Sequence, residues 1–280
     1  MSDKRDYRQP PEIHKKWVDM ANRLGAMVSQ PPISGSEVAV AEQFVPAAQV
    51  LMFHFGRGVR TFGATCLLLS NGFTQDAVIL ARTLLEVLFE MAFIARFPED
   101  AHYYFTHALD LEKRFQRNWH AYSPARTSAT EVSKIKQGEP ADHVSGLSHG
   151  AWHPKHKSVR SRAKESGIPQ IYYDLFYSLA SRYSHGSGDW LREIARKSNK
   201  RIEVSYEGDR MEHDLVLLIT CDTFLQILIV ANAALGLKAR DVLRKTHEDL
   251  TNLVGCTWDT LFKDPTSIDT TNSKVMPDGA

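Results

Sequence analysis

An all-α fold, a single helical bundle, is the architecture this sequence predicts, on three observations. Long amphipathic and apolar runs are divided by Pro and Gly. Two of those runs, about 74–97 and 215–237, are apolar almost all round. One short stretch alone, Arg201 to Met211, alternates in the manner of strands, and only weakly. A helix apolar on every face is one surrounded by other elements, so the two apolar runs are expected at the centre of the bundle.

Pro10-Pro11 opens a first amphipathic helix, Glu12 to Val28, and Gln30-Pro31-Pro32 ends it, because proline removes a backbone donor and constrains its neighbour. Ser36 is placed to cap a second helix that runs to Ser70, with Pro46 as a point where it could break in two. Asn71-Gly72 reads as its stop. The third helix carries Ala77, Val78, Leu84, Leu85, Leu88, Phe89 and Phe93 and ends before Pro98. A fourth, Glu99 to Tyr122, is amphipathic and aromatic-rich. From Ser123 to Gly167 the chain turns rich in His, Ser, Lys, Gly and Pro, which predicts a short helix near Thr130 to Gln137 and then a long loop. A loop of that length in a compact domain is usually functional or mobile. Helix resumes from Pro169 to His185 and stops at Gly186-Ser187-Gly188; Asp189 can cap a short basic helix to Ser198. A small hairpin is expected around Glu207-Gly208-Asp209, then a long helix from His213 to Leu237 and a last one from Arg240 to Phe262. The expected organisation is an N-terminal helix and linker over 1–33, a bundle over 34–265 with an insertion at 123–167, and a disordered tail over 266–280.

Composition excludes some function classes. The net charge of +1 over 280 residues lacks the basic excess usual in a protein living on nucleic acid, though it does not rule out RNA or DNA. Cys66, Cys221 and Cys256 are widely spaced with no CxxC, which fits buried thiols in a reducing cytosol. The first residues are polar and lack the apolar region of a secretory signal. The run at 215–237 is long enough for a membrane span, but Asp222 and Gln226 near its middle would be costly there. A cytoplasmic protein with no membrane partner is expected.

Three groups of polar residues stand out. Arg82, Glu86 and Glu90 recur every four residues on the apolar third helix and so share one face. Buried charges must be paired, and Asp222 and Gln226 are possible cross-helix partners. Two readings stay open: a buried ion-pair network that fixes helix register, or a polar pocket in which Arg82 contacts an anion or phosphate. Substituting Arg82 by Ala separates them. The first reading predicts a loss of about 3 kcal/mol, because a partner charge is stranded. The second predicts near-neutral or increased stability. Tyr177, Ser181 and His185 step by four along a helix end, with Arg182 among them. His185 could act as a general acid or base, or simply cap the helix. His143, His149, His153 and His156 form a run, but Gly146, Gly150 and Pro154 argue against the helix that metal-ligand spacing would need, so no metal and no cofactor is expected. No Walker loop, GxGxxG, HExxH or GxSxG elbow occurs.

The segment Ala81-Arg-Thr-Leu-Leu-Glu86 and the later Tyr177, Ser181 and His185-Gly186-Ser187, with Trp152 upstream, resemble the signature of a bacterial family of unknown function. The resemblance covers about half the chain and implies an all-helical domain with no established activity. The helical pattern also distantly resembles the HEPN superfamily of metal-independent ribonucleases, whose motif is an Arg followed by His after four to six residues. Arg182 and His185 depart from that spacing. Arg96 with His102, Arg114 with His120 and Arg240 with His247 fit it, and Arg240 with His247 is the best placed, because i to i+7 shares a helical face.

The expected function is a binding or sensing module, with Arg82, Glu86, Tyr177, Ser181, Arg182 and Asp222 around a pocket for a small anion, nucleotide or RNA. One alternative is a ribonuclease using His185 with Arg82, or Arg240 with His247 across a homodimer. The other is a purely structural subunit.

Overall fold

The computed structural model describes residues 11–31, 33–34, 42–122, 152–184, 195–198, 201–204 and 210–261. The architecture is all-α. Its helices are α1 Pro11–Val28, α2 Val45–Ser70, α3 Thr74–Arg96, α4 Ala101–Tyr122, α5 Val159–Glu165, α6 Ser178–Ser184, α7 Arg210–Leu235 and α8 Arg240–Leu261. Short 3-10 turns at Glu42–Phe44 and Pro98–Asp100 lead into α2 and α4, and a π-helical turn, Tyr172–Tyr177, leads into α6.

Helices α3 and α7 form the centre, as their all-round apolarity dictates. α3 packs on α2, α7, α5 and α6, and α7 packs on α3, α2, α1 and α8. Phe62 of α2 stacks on Phe224 of α7, with centroids 4.0 Å apart. Gly58 sits where α2 passes closest to both: a Cβ there would meet Val87 at 3.3 Å and Ile227 at 3.4 Å. α7 is the one helix among the described residues long and apolar enough to cross a membrane, but 72% of its apolar window is buried against the other helices.

Several expectations need correction. Pro46 does not divide α2; it sits in the first turn, where its missing donor is unneeded. The Ser36 cap, the short helix at 130–137, the turn at 207–209 and the tail at 266–280 lie outside the described residues. The stretch before Gly167 is not all loop. Ser158 caps α5 by accepting from the Ser161 N–H, a seven-residue helix too short for periodicity to reveal. Two antiparallel strands, β1 Ala195–Ser198 and β2 Arg201–Val204, pair Ala195 with Val204 and Ser198 with Arg201. A strand thus replaces the C-terminal part of the expected basic helix, and the hairpin lies upstream of its expected position.

Candidate functional site

The α3 stripe and the Tyr177 face meet. The arm formed by residues 152–184 lies along α3, and every residue of the stripe finds its partner there. At the deep end, Glu90 is 8% exposed and Arg162 of α5 is 1% exposed. Arg162 donates from Nε to Glu90 Oε1 at 2.8 Å, and its Nη2 stands 2.7 Å from the same oxygen. Trp152 Nε1 donates to Glu90 Oε2 at 2.8 Å, and Arg162 Nη1 donates to the His156 carbonyl at 2.8 Å. The guanidinium also lies 5.5 Å from the centre of the Trp152 ring. Burial pushes the Glu90 carboxyl above its ordinary range, against the pull of Arg162 and Trp152. The hydrogen bonds described here at Glu90 all donate to that carboxylate, as a buried ion requires. Arg96 adds a further tie by donating to the Glu165 carbonyl at 3.0 Å.

At the outer end the same stripe is open to solvent. Arg82 and Glu86 are each 27% exposed in their side chains and 3.2 Å apart. Arg82 Nη2 donates to Tyr177 Oη at 2.9 Å, and that hydroxyl donates to Glu86 Oε1 at 3.0 Å. Arg82 Nε meets no hydrogen-bond partner among the described residues. The Arg82 guanidinium stands 5.1 Å from the Tyr177 ring centre. Tyr177 stacks on Tyr173 at 5.0 Å, and Arg160 lies 6.0 Å from the Tyr173 ring centre. Two arginines therefore bracket two stacked tyrosines. The π turn produces this ladder, since it sets Ser178 N–H on the Tyr173 carbonyl and aims both rings at α3. Single π turns inside helices are frequent at functional sites.

Asp222 is not the partner of this stripe that its spacing allowed. It accepts from Tyr172 Oη at 2.7 Å, so the π turn reaches α3 through Tyr177 and α7 through Tyr172. Burial raises the Asp222 carboxyl, against the pull of Tyr172, Gln226 and His247. Ser181 lies half-buried one turn beyond Tyr177. Arg182 belongs to α6, but its side chain and all of His185 lie outside the described residues. Arg240 and His247 are exposed on α8. His102 Nδ1 is 2.7 Å from the Glu99 carbonyl, which gives it a local structural role. A cavity of about 330 Å³ lies between α1 and α8, beside Lys16, Arg23 and Asp249, away from the stripe.

Sequence reasoning missed His54. It is 2% exposed on α2, edge-on to Tyr104 at 5.1 Å, and neither ring nitrogen meets a hydrogen-bond partner among the described residues. Burial, with Arg57 and Arg162 nearby, lowers it to about 3. His153 Nδ1 accepts from the N–H groups of Lys155 and His156, so its Nε2 carries the proton and stands 3.1 Å from Asp100. His143 and His149 lie outside the described residues. Cys66 and Cys221 are free, and burial raises both thiols, Cys66 to about 11.

Residues 48–202 match the family described as Family of unknown function (DUF5677). No curated protein and no solved structure matches the chain.

Proposed function

We propose, for a chain that belongs to the DUF5677 family of unknown function and takes no activity from that membership, a binding or sensing module that receives a small anionic ligand at the outer end of the α3 stripe. We read it as a soluble cytoplasmic protein. The observation that carries the binding role is the contrast along one helix face. Glu90 and Arg162 are buried and engaged, whereas Arg82 is 27% exposed, held in place by Glu86 and Tyr177, and its buried Nε meets no partner among the described residues. A guanidinium fixed by a carboxylate and a hydroxyl is oriented before a ligand arrives, which lowers the entropic cost of binding. Tyr177 itself is buried between Arg82 and Tyr173, and the exposed Arg160 beside Tyr173 adds cationic surface of the kind that holds phosphates. A nucleotide or a short RNA is the favoured ligand class.

The Arg82–Glu86 pair is partly exposed and solvent screens its attraction, so Arg82→Ala is expected to lower stability by about 1 kcal/mol, well below the cost of breaking the buried pair. The same variant should lose any unfolding-midpoint shift that nucleotides or RNA fragments give the wild type. A large loss of stability, or a ligand shift that survives in the folded variant, would remove this site from consideration.

A second reading, a metal-independent ribonuclease, draws on Arg240 and His247, exposed two turns apart on α8. His247 is within electrostatic reach of Asp222. Histidine would take the 2′-hydroxyl proton and arginine would stabilise the phosphate. RNA cleavage by the wild type that disappears in both His247→Ala and Arg240→Ala is the result this reading requires. Undiminished cleavage in His247→Ala and in His185→Ala would end it.

A further inference from the structure

Away from the α3 stripe, three donor groups from distant parts of the chain converge. His14 lies on α1, and His213 and Asp214 lie near the start of α7. His14 Nδ1 stands 2.8 Å from Asp214 Oδ1, and His213 Nδ1 stands 3.6 Å from the same oxygen. One ligand atom from each residue lies within 4.8 Å of the other two. Asp214 is 3% exposed, while both histidines are only partly buried.

The tautomer of His213 gives the cluster its chemistry. Its Nε2 is 3.0 Å from the Leu69 carbonyl at the end of α2. A carbonyl only accepts, so Nε2 carries the proton, and in the neutral ring Nδ1 carries the lone pair. That nitrogen is the one that stands 3.6 Å from Asp214 Oδ1, on the side of the ring where His14 also meets the carboxylate. A histidine whose second nitrogen donates to a backbone carbonyl is the usual supported metal ligand: the carbonyl fixes the tautomer and aims the other nitrogen.

We propose that His14, His213 and Asp214 bind a divalent cation of the zinc class, which ties α1 to the start of α7. Two imidazole nitrogens and one carboxylate form a donor set suited to zinc, with water as the fourth ligand. An ion about 2.0–2.2 Å from each donor would take the lone pairs of two neutral imidazoles and balance the charge of the buried carboxylate. The sequence gives no hint of the site, because His14 and Asp214 are 200 positions apart.

The test is titration of tag-free, metal-free full-length protein with Co²⁺, read by ligand-field absorption, and with Zn²⁺, read by displacement of cobalt and by the unfolding midpoint. One cobalt per chain, displaced by zinc, and a midpoint raised by zinc are expected. His14 is 43% exposed in its side chain, so His14→Ala should fold, with a metal-free midpoint somewhat below the wild type because buried Asp214 loses its 2.8 Å partner. It should bind cobalt more weakly by more than the about 10–100-fold typical of second-shell changes. His14→Cys, which offers a thiolate in the same place, should restore binding and add a thiolate-to-cobalt charge-transfer band. Absence of cobalt binding in the wild type, undiminished binding in His14→Ala, or a His14→Cys variant without the new band would each overturn the proposal. The cluster would then be an ion pair between Asp214 and protonated histidine.

Discussion

Arg162→Ala should destabilise the protein by about 3–5 kcal/mol, the range found when one partner of a buried ion pair is removed. The variant keeps Glu90 at its buried site on α3 and takes away the guanidinium that contacts Oε1 through Nε and Nη2. Only the Trp152 N–H would remain on that carboxylate among the contacts described above. The His156 carbonyl would also lose its donor, and the Trp152 ring would lose its cation. Since the arm docks on α3 through this pair, the loss should extend to the placement of α5 and the π turn. Urea unfolding of both proteins measures the effect. The companion variant Glu90→Gln separates charge from shape: it should also be destabilised, because a neutral amide leaves Arg162 uncompensated. The double variant Arg162→Met with Glu90→Leu should recover much of the loss, since an apolar pair of similar volume is often as stable as a buried ion pair. A cost below about 1 kcal/mol for Arg162→Ala would mean that the arm is not pinned there.

Acid should weaken the fold through His54. Its folded value of about 3 lies below the ordinary histidine value of 6.5. A histidine lowered in this way is neutral in the fold, while the unfolded chain takes up a proton as the pH falls below about 6.5. Stability from this group is therefore complete above that pH and is lost progressively down to about 3. The loss by pH 5 is about 2 kcal/mol, from one proton bound by the unfolded chain alone over 1.5 pH units. Glu90 and Asp222, both raised by burial, oppose this trend, so the decisive comparison is with His54→Leu. At neutral pH that variant should be at least as stable as the wild type, because it removes two buried nitrogens that meet no partner among the described residues. Between pH 7 and pH 5 it should lose about 2 kcal/mol less than the wild type. Parallel stability–pH curves for the two proteins would show that His54 titrates normally.

These two residues mark how far the sequence could be read. The stripe Arg82, Glu86, Glu90 was legible, because a spacing of four on an apolar helix is a local property. Its partners were not. Arg160 and Arg162 stand two positions apart in the same polar stretch, yet Arg160 is exposed and Arg162 is buried, a difference set by which face of α5 meets α3. Nothing within that stretch distinguishes them. The resemblance to a family of unknown function was legible in the Arg82–Glu86 and Tyr177–Ser181 segments, and the family match spans both. His54 had its own signal in the sequence: a single histidine between Phe53 and Phe55, in the otherwise apolar run from Val50 to Phe55. The π turn was hidden, since one inserted residue shifts which side chains share a face without changing composition. Asp222 was legible as a polar residue on an apolar helix, but its partner, Tyr172, comes from the arm and not from the stripe.

The central claim is that one helix face carries architecture at its inner end and a binding site at its outer end. It is tested most directly by the unfolding midpoints of wild type, Arg82→Ala and Arg162→Ala, each with and without nucleotides and short RNA fragments. The account predicts a large drop for Arg162→Ala. For Arg82→Ala it predicts a midpoint close to the wild type and no response to the ligand that shifts the wild type. Equal large drops for both variants, with no ligand moving the wild type, would contradict it and make the whole stripe architecture.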